Sequence, residues 1–356
     1  MKKSDLNLLG DLMRLRPVTA DVDAVNRAVD LMAEYLRGHG LHLAIESDGG
    51  RKVLYASTRE GRKPALLLNT HLDVVPAIRE DQYELTEKDG WLVGRGTADC
   101  LGHSVIAARF LIDHARDCDA GVVFSTDEEF GGSATGRMVE LGYGASRVIL
   151  VVDSGFGSIA VAQKGILVLK VTAKGKGGHS AYPWVLDNPI DTLVTGCRRL
   201  LRGWRNPAEE EDWRDSMELC QISGGFATNQ VPDSAEAIIN FRYIKDSHRE
   251  RIIGRVKRVT GCEVEIVREC PPVDISPEHP ELRMLQEIMS RHFPKIGFSR
   301  SCGATDARYF RVCGVPIGMI GAKMRGVHGH DEAVELASLE GIARSLDDFS
   351  AAVAVD

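Results

Sequence analysis

A chain of 356 residues is too long for one ordinary hydrophobic core, so its length alone points to two domains. Its composition, 44% hydrophobic and 27% charged, is that of a soluble globular protein. The net charge of -7 argues against nucleic acid or an anionic membrane as a partner, and no apolar run approaches a membrane span. The eight cysteines are scattered without zinc-finger or Cys-x-x-Cys spacing and read as reduced thiols, which predicts a cytoplasmic location. The N-terminus begins basic, but Asp5, Asn7 and Asp11 interrupt any signal-peptide core.

Helical periodicity covers residues 5–16 and 21–39, the second stretch capped by Thr19 or Asp21 and stopped at Gly40. Segments of strand character follow at 41–46, 52–56 and 64–69. The last, apolar up to Asn69, reads as a strand covered on both faces and runs into Thr70-His71-Leu72-Asp73. After a polar stretch come Gly94-Arg95-Gly96-Thr97-Ala98-Asp99, a helix at about 103–115 and the apolar run Gly121–Phe124. That run ends in Ser125-Thr126-Asp127-Glu128-Glu129-Phe130-Gly131-Gly132, whose paired glycines allow a sharp turn. Val148–Val152 is another buried strand, ending in Asp153. Buried strands thus deliver His71, Glu128/Glu129 and Asp153 at their C-terminal ends, the edge of an open α/β sheet where ligands sit.

From Ile166 the pattern changes. A strand at 166–173, a helix near 187–203, strands at 217–223 and 234–244, a helix at 247–259 and a strand at 262–268 give the order β-α-β-β-α-β. The acidic run Glu209-Glu210-Glu211-Asp212 reads as a solvated face. Pro271, Pro272 and Pro277 punctuate the exit, and α/β character resumes with a helix at 280–293, a strand at 316–320 and a final helix at 338–354. The expected architecture is an α/β mixed-sheet catalytic domain, split into 1–165 and 275–356, with a ferredoxin-like α+β domain at 166–274 inserted.

Three consecutive acids after a buried strand need positive charge opposite them. His71, Asp99, Glu129, Asp153 and His328 form a mixed N/O ligand set that suits zinc, with Co2+ or Mn2+ as substitutes. One shared Asp can bridge two ions, and paired ions bring the pKa of bound water toward ~7. Adjacent Glu128 and Glu129 divide ligation from proton transfer if the backbone there is not regular strand. Asp73, two residues past His71, can orient the imidazole.

The chain resembles the co-catalytic dizinc amidohydrolases. That family takes in aminoacylases, acetylornithine deacetylase, succinyl-diaminopimelate desuccinylase, carboxypeptidase G and carnosinase-type dipeptidases. The resemblance rests on Thr70-His71-Leu72-Asp73-Val74-Val75-Pro76, Gly94-Arg95-Gly96-x-x-Asp99, Asp127-Glu128-Glu129-x-Gly131-Gly132, Gly178-His179-x-Ala181-Tyr182-Pro183 and His328–Glu332, in the family's order. It implies two Zn2+ per chain, Asp99 bridging them, His71 and Asp153 completing one position, and Glu129 and His328 the other. It makes Glu128 the general base and Asp73 the support of His71. His179 would reach the site of a partner subunit in a homodimer and stabilise the oxyanion. Asn229, Arg242 and the loop containing Gly303 would contact substrate, the Arg242 guanidinium binding the substrate's carboxylate. The C-terminal motifs look most like the aminoacylase branch, which implies a dizinc-bound hydroxide cleaving an N-acyl-L-amino acid. A di- or tripeptide is the runner-up substrate, and a catalytically silent metal- or ligand-binding homologue is the rival of another class.

The family's common Met-Lys-Gly after the bridging Asp is here Cys100-Leu101-Gly102, and neither Cys100 nor Leu101 is expected to bind metal. Asp153 stands where several members have Glu. Members often carry a non-proline cis peptide after the bridging Asp. His328 is favoured over His330 as ligand, with Glu332 as the anchor; His103 is expected to cap a helix or face solvent. Cys100 and Cys302 read as small buried hydrophobes. Asp127 has no assigned role.

Overall fold

The computed structural model describes residues 1–209 and 211–353; Glu210, within the acidic run, and Ala354, at the end of the last expected helix, lie outside the described residues. The chain divides into two compact units. The first comprises Met1–Val161, Ile275–Arg300 and the stretch from Thr305 onward; the second is Ala162–Asp274 with Ser301–Ala304.

The first unit begins with helices α1 (Lys3–Arg14) and α2 (Val22–Leu36). Of the two candidate caps for α2, Asp21 is used: its carboxylate accepts the Ala24 N–H at 2.9 Å. Strands β1 (His42–Asp48), β2 (Arg51–Ser57) and β3 (Leu66–His71) follow, then the short β4 (Thr86–Lys88) and β5 (Trp91–Val93). Next come α3 (Leu101–Asp113), β6 (Ala120–Ser125), α4 (Ser133–Glu140), β7 (Val148–Val151) and β8 (Ser158–Gln163).

The main sheet runs β1-β2-β6-β3-β7, then β17 (Ile317–Met319), then β8. β3 is parallel to both β6 and β7, with His71 opposite Ser125 and Asn69 opposite Val151. Every residue of β3, β6 and β7 is buried, the property predicted by the apolar runs Leu66–Leu68, Ala120–Phe124 and Val148–Val151 that they contain. Their C-terminal ends therefore share one edge, as the polar endings of those strands require. α1, α2, α3 and α9 (Leu336–Val353) supply Leu9, Leu12, Val29, Met32, Val105, Leu346 and Phe349 to the core around β3 and β6. A second small sheet orders β18 (Met324–Arg325), β19 (Ala333–Glu335), β5 and β4. It pairs Val93 with Ala333, which brings the segment after β5 beside the His328–Glu332 loop.

The second unit carries β9 (Gly165–Lys174), the two-residue β10 (Gly178–His179), α5 (Pro189–Arg202), β11 (Ser216–Gly224), the two-residue β12 (Gln230–Val231), β13 (Ser234–Tyr243), α6 (Asp246–Thr260) and β14 (Glu263–Cys270). Its sheet order β11-β13-β9-β14, antiparallel throughout, is the ferredoxin-like arrangement expected of a β-α-β-β-α-β chain. Alternate residues Leu167, Leu169 and Val171 of β9 meet Leu193 and Leu200 of α5 and Ile252 and Val256 of α6 in one core. The chain leaves this unit through β15 (Val273–Asp274), and α7 (Pro280–His292), β16 (Gly297–Ser301) and α8 (Ala307–Phe310) follow. Among the described residues no helix is long and apolar enough to cross a membrane.

Candidate metal centre

At the shared edge the first unit gathers His71, Asp99, Glu128, Glu129, Asp153 and His328. Two clusters have ligand atoms mutually within 4.8 Å: Asp99, Glu129 and His328 in one, and His71, Cys100 and Asp153 in the other. They adjoin through Asp99, whose Oδ1 lies 2.9 Å from His71 Nε2 and whose Oδ2 lies 3.1 Å from His328 Nε2. A carboxylate with one oxygen toward each cluster is what a bridging ligand requires. His328 Nε2 is also 3.1 Å from Glu129 Oε1, whereas His330 lies outside both clusters.

Several of these candidate ligands are held by supports of their own. His71 Nδ1–H donates to the backbone carbonyl of Asp73 at 2.9 Å, which turns Nε2 toward Asp99. The support expected from the Asp73 carboxylate is only partly of that kind. Its Oδ1 lies 3.4 Å from His71 Nδ1, but the carboxylate also accepts the N–H groups of Glu128 (3.2 Å) and Glu129 (3.3 Å) and the Thr19 hydroxyl (2.8 Å). Asp73 therefore fixes the backbone that carries both glutamates. That backbone is a single 3-10 turn over Glu128–Phe130, so the adjacent side chains need not point to opposite faces.

Asp127 acquires a role here. Its carboxylate accepts Ser133 Oγ at 2.7 Å and the Ala134 N–H at 3.1 and 3.2 Å, holding the start of α4. The glycines between them are needed: Gly132 has φ 65°, and a Cβ there would lie 1.8 Å from Asp306 Oδ1. Asp306 is itself buried and accepts Ser125 Oγ at 2.8 Å and Thr135 Oγ1 at 2.6 Å.

The Gly94–Asp99 segment is anchored by a buried ion pair that joins Arg95 Nη1 to Glu332 Oε2. Glu332 Oε1 accepts the N–H groups of Gly96 (2.9 Å), Ala98 (3.2 Å) and Asp99 (3.1 Å), while Arg95 Nη2 donates to the carbonyls of His328 and Gly329, both at 3.2 Å. One pair thus positions both Asp99 and His328. The Asp99–Cys100 peptide bond is cis.

The clustering has an electrostatic signature. Burial, reinforced by the charge of Asp99, pushes the Asp153 carboxyl up to about 7. Burial and then Asp153 push Glu128 well above the usual carboxylate range. Asp99 goes the other way: burial opposes its charge, but hydrogen bonds from His328 and His71 hold it well below the ordinary value. Hydrogen bonds to Asp99 and Glu129 raise His328 to about 10. Carboxylates crowded in this way demand protons or a divalent cation, and the donor set of imidazole and carboxylate fits zinc.

The expectations for His103 and Cys302 are corrected and that for Cys100 is qualified. His103 neither caps a helix nor faces solvent: it is buried, its Nε2 accepts the Ala322 N–H at 3.0 Å, and burial pushes its pKa down to about 4. Cys100 is buried as expected, but its thiol falls within the His71/Asp153 cluster. Arg308 carried no individual role in the sequence; its buried guanidinium lies 4.0 Å from Glu128 Oε1 and donates to the Thr305 carbonyl at 2.8 Å. Cys302 is exposed, so it is not a buried hydrophobe.

The remaining sequence candidates lie in the second unit. His179 is exposed on β10, which pairs with β12, and its Nδ1 accepts the Ala181 N–H at 3.1 Å. The neutral ring therefore carries its proton on Nε2. Asn229 is exposed and its carbonyl accepts the Ser180 N–H at 3.0 Å. Arg242 is half-buried on β13 opposite Ile166 and Ser216, and Gly303 is exposed, its N–H donating to Ser301 Oγ at 3.1 Å.

The family model described as peptidase family M20/M25/M40 matches residues 67–351, spanning every motif of this centre. The chain belongs to that family. This M20 chain is 26% identical over 379 residues to a succinyl-diaminopimelate desuccinylase of Roseobacter denitrificans, covering 97% of this chain and 98% of the relative. It is 24% identical over 349 residues to a probable carboxypeptidase of Aspergillus terreus, covering 88% of this chain and 79% of that one. An M20 family metallo-carboxypeptidase from Sulfolobus solfataricus has the same fold, with a TM-score of 0.82 over 100% of both chains at 15% identity. The M20 chain is accordingly a metal-dependent hydrolase acting on amide or peptide bonds.

Proposed function

We propose that this M20 hydrolase cleaves the amide bond of an N-acyl-L-amino acid. In this reading the first unit is catalytic and the second is a lid that also dimerises. The carrying observation is Asp99 set between two ligand clusters, with Glu128 beside them. His71 and Asp153 would hold one divalent ion, Glu129 and His328 the other, and Asp99 both. Such ions, when bound, supply Lewis-acid polarisation of a carbonyl and lower the pKa of water.

The chain's own groups do the rest. Glu128 takes the proton of the attacking water on its carboxylate and returns it to the leaving amine. Asp73 keeps Glu128 and Glu129 in their separate positions through the two backbone N–H groups it accepts. His179 of a neighbouring protomer donates Nε2–H to the developing oxyanion, and the Ala181 contact supports that tautomer. Arg242 offers a guanidinium fork to the substrate carboxylate, and Asn229 and the Gly303 loop contact the rest of the substrate.

A di- or tripeptide presents the same free carboxylate, and the likeness to a probable carboxypeptidase favours that second reading. A screen of N-acyl amino acids and short peptides, run after chelation and after zinc add-back, separates them. Turnover of acyl amino acids alone supports the first reading and turnover of peptides alone the second. No turnover by the metal-replete dimer would favour a silent binding homologue.

A further inference from the structure

Cys100 occupies the position immediately after Asp99. Its side chain is completely buried, and Sγ, a His71 ring nitrogen and an Asp153 carboxylate oxygen lie within 4.8 Å of one another. Sγ lies 3.1 Å from Thr70 Oγ1 and 3.1 Å from the Val152 carbonyl, so the thiol is seated between the strand ends that present His71 and Asp153. Donor atoms around one tetrahedral zinc stand roughly 3.3–3.8 Å apart, given Zn–N near 2.0 Å and Zn–S near 2.3 Å. Closing this cluster onto an ion therefore asks for a contraction on the order of 1 Å.

We infer that Cys100 is a sulfur ligand of the His71/Asp153 position, making the two metal positions chemically unequal. The inference rests on the reading of these clusters as a metal centre. On binding, the S–H bond breaks, its proton passes to bulk water and a sulfur lone pair bonds the cation; nothing is oxidised or reduced. The His71/Asp153/Cys100 position then has an N/O/S donor set that selects thiophilic Zn2+. The Asp99/Glu129/His328 position keeps N/O donors and accepts Co2+ or Mn2+ more readily.

The test is spectroscopic. Wild-type protein loaded with two Co2+ per chain should show a near-ultraviolet sulfur-to-cobalt charge-transfer band. That band should vanish in Cys100→Ser and persist in Cys302→Ser, which removes an exposed thiol. X-ray absorption of the zinc form should show a sulfur shell at about 2.3 Å, amounting to roughly one sulfur per two zincs. Cys100→Ser should weaken one of the two zincs at least tenfold, by the scale of ligand-supporting substitutions. Two bound cobalts without the band, and zinc without a sulfur shell, would overturn the role of Cys100 while leaving the metal centre standing. Failure of the folded protein to bind either metal would overturn both. Should Cys100→Ser not fold, the sulfur shell of the wild-type zinc form decides alone.

Discussion

At the scale of the residue, the 3-10 turn at Glu128–Phe130 separates two side chains that sequence makes look equivalent. Glu129 meets His328 at 3.1 Å, and Glu128 lies 4.0 Å from the Arg308 guanidinium. In the proposed division, Glu128→Ala removes a proton carrier and Glu129→Ala removes a ligand. Glu128→Ala should therefore lower kcat by about 10²–10⁴-fold, the usual worth of a positioned acid–base group, and keep two metals per chain. Glu129→Ala should lose metal from one position. Metal analysis beside steady-state kinetics checks this, and metal loss confined to Glu128→Ala would reverse the two roles. Asp127, the first of the three acids, has a mechanical place. Asp127→Ala deprives α4 of its N-terminal acceptor and should cost about 1 kcal/mol, on the scale of helix caps, with metal content unchanged. Urea unfolding of protein with known metal content reads that difference.

At the scale of the element, strand ends were the most legible part of this chain. β3, β6 and β7 are buried throughout, built on apolar runs, and lead into chemistry-bearing residues, so both their parallel pairing and the shared polar edge follow from covering both faces of each strand. The ferredoxin-like order of the second unit was readable from alternation for the same reason. The small sheet of β18, β19, β5 and β4 was not, because strands of two or three residues are too short to show a period. The helix α4 went unread between two glycines and the Gly142 turn, and without it Asp127, its acceptor, has no role legible in the sequence. His103 was misplaced because its partner, the Ala322 N–H, is far along the chain, and local sequence carries no trace of such contacts.

The unread small sheet carries the segment whose anchor is Arg95–Glu332. The two side chains are 1% and 0% exposed, so removing one leaves an uncompensated charge in the interior. Arg95→Ala should destabilise by about 3–5 kcal/mol and release His328 along with Asp99, because Nη2 also holds the His328 carbonyl. Arg95→Lys restores the charge without the fork and should recover only part of the loss. Denaturant midpoints and metal content together check both statements. Full recovery by Lys would mean that charge alone, without the two-pronged geometry, sets the loop.

At the scale of the whole molecule, the question is whether one chain suffices for turnover. The two candidate ligand clusters, Glu128 and Asp73 all belong to the first unit, and His179, Asn229 and Arg242 belong to the second. His179 stands exposed on a two-residue strand, with Nδ1 tied to the Ala181 N–H and Nε2 left as the donor. An exposed imidazole with a fixed tautomer suits a role toward something outside its own unit. If the proposed dimer shares its sites, His179→Ala and Glu128→Ala damage different halves of each site. A mixed dimer then contains one site with both defects and one with neither. Random mixing places about half of the dimers in that mixed state, so activity should return to roughly one quarter of wild type per chain, from two parent variants that are each nearly inactive. The measurement is activity after co-refolding or co-expression, with each parent variant first checked for dimer formation and two metals per chain. No recovery in verified mixed dimers would place His179 in the site of its own chain, or outside the reaction altogether. His179→Gln, which keeps a donor, separates those last two outcomes: partial activity argues for oxyanion stabilisation in cis, and none of the lost rate regained argues against any such role.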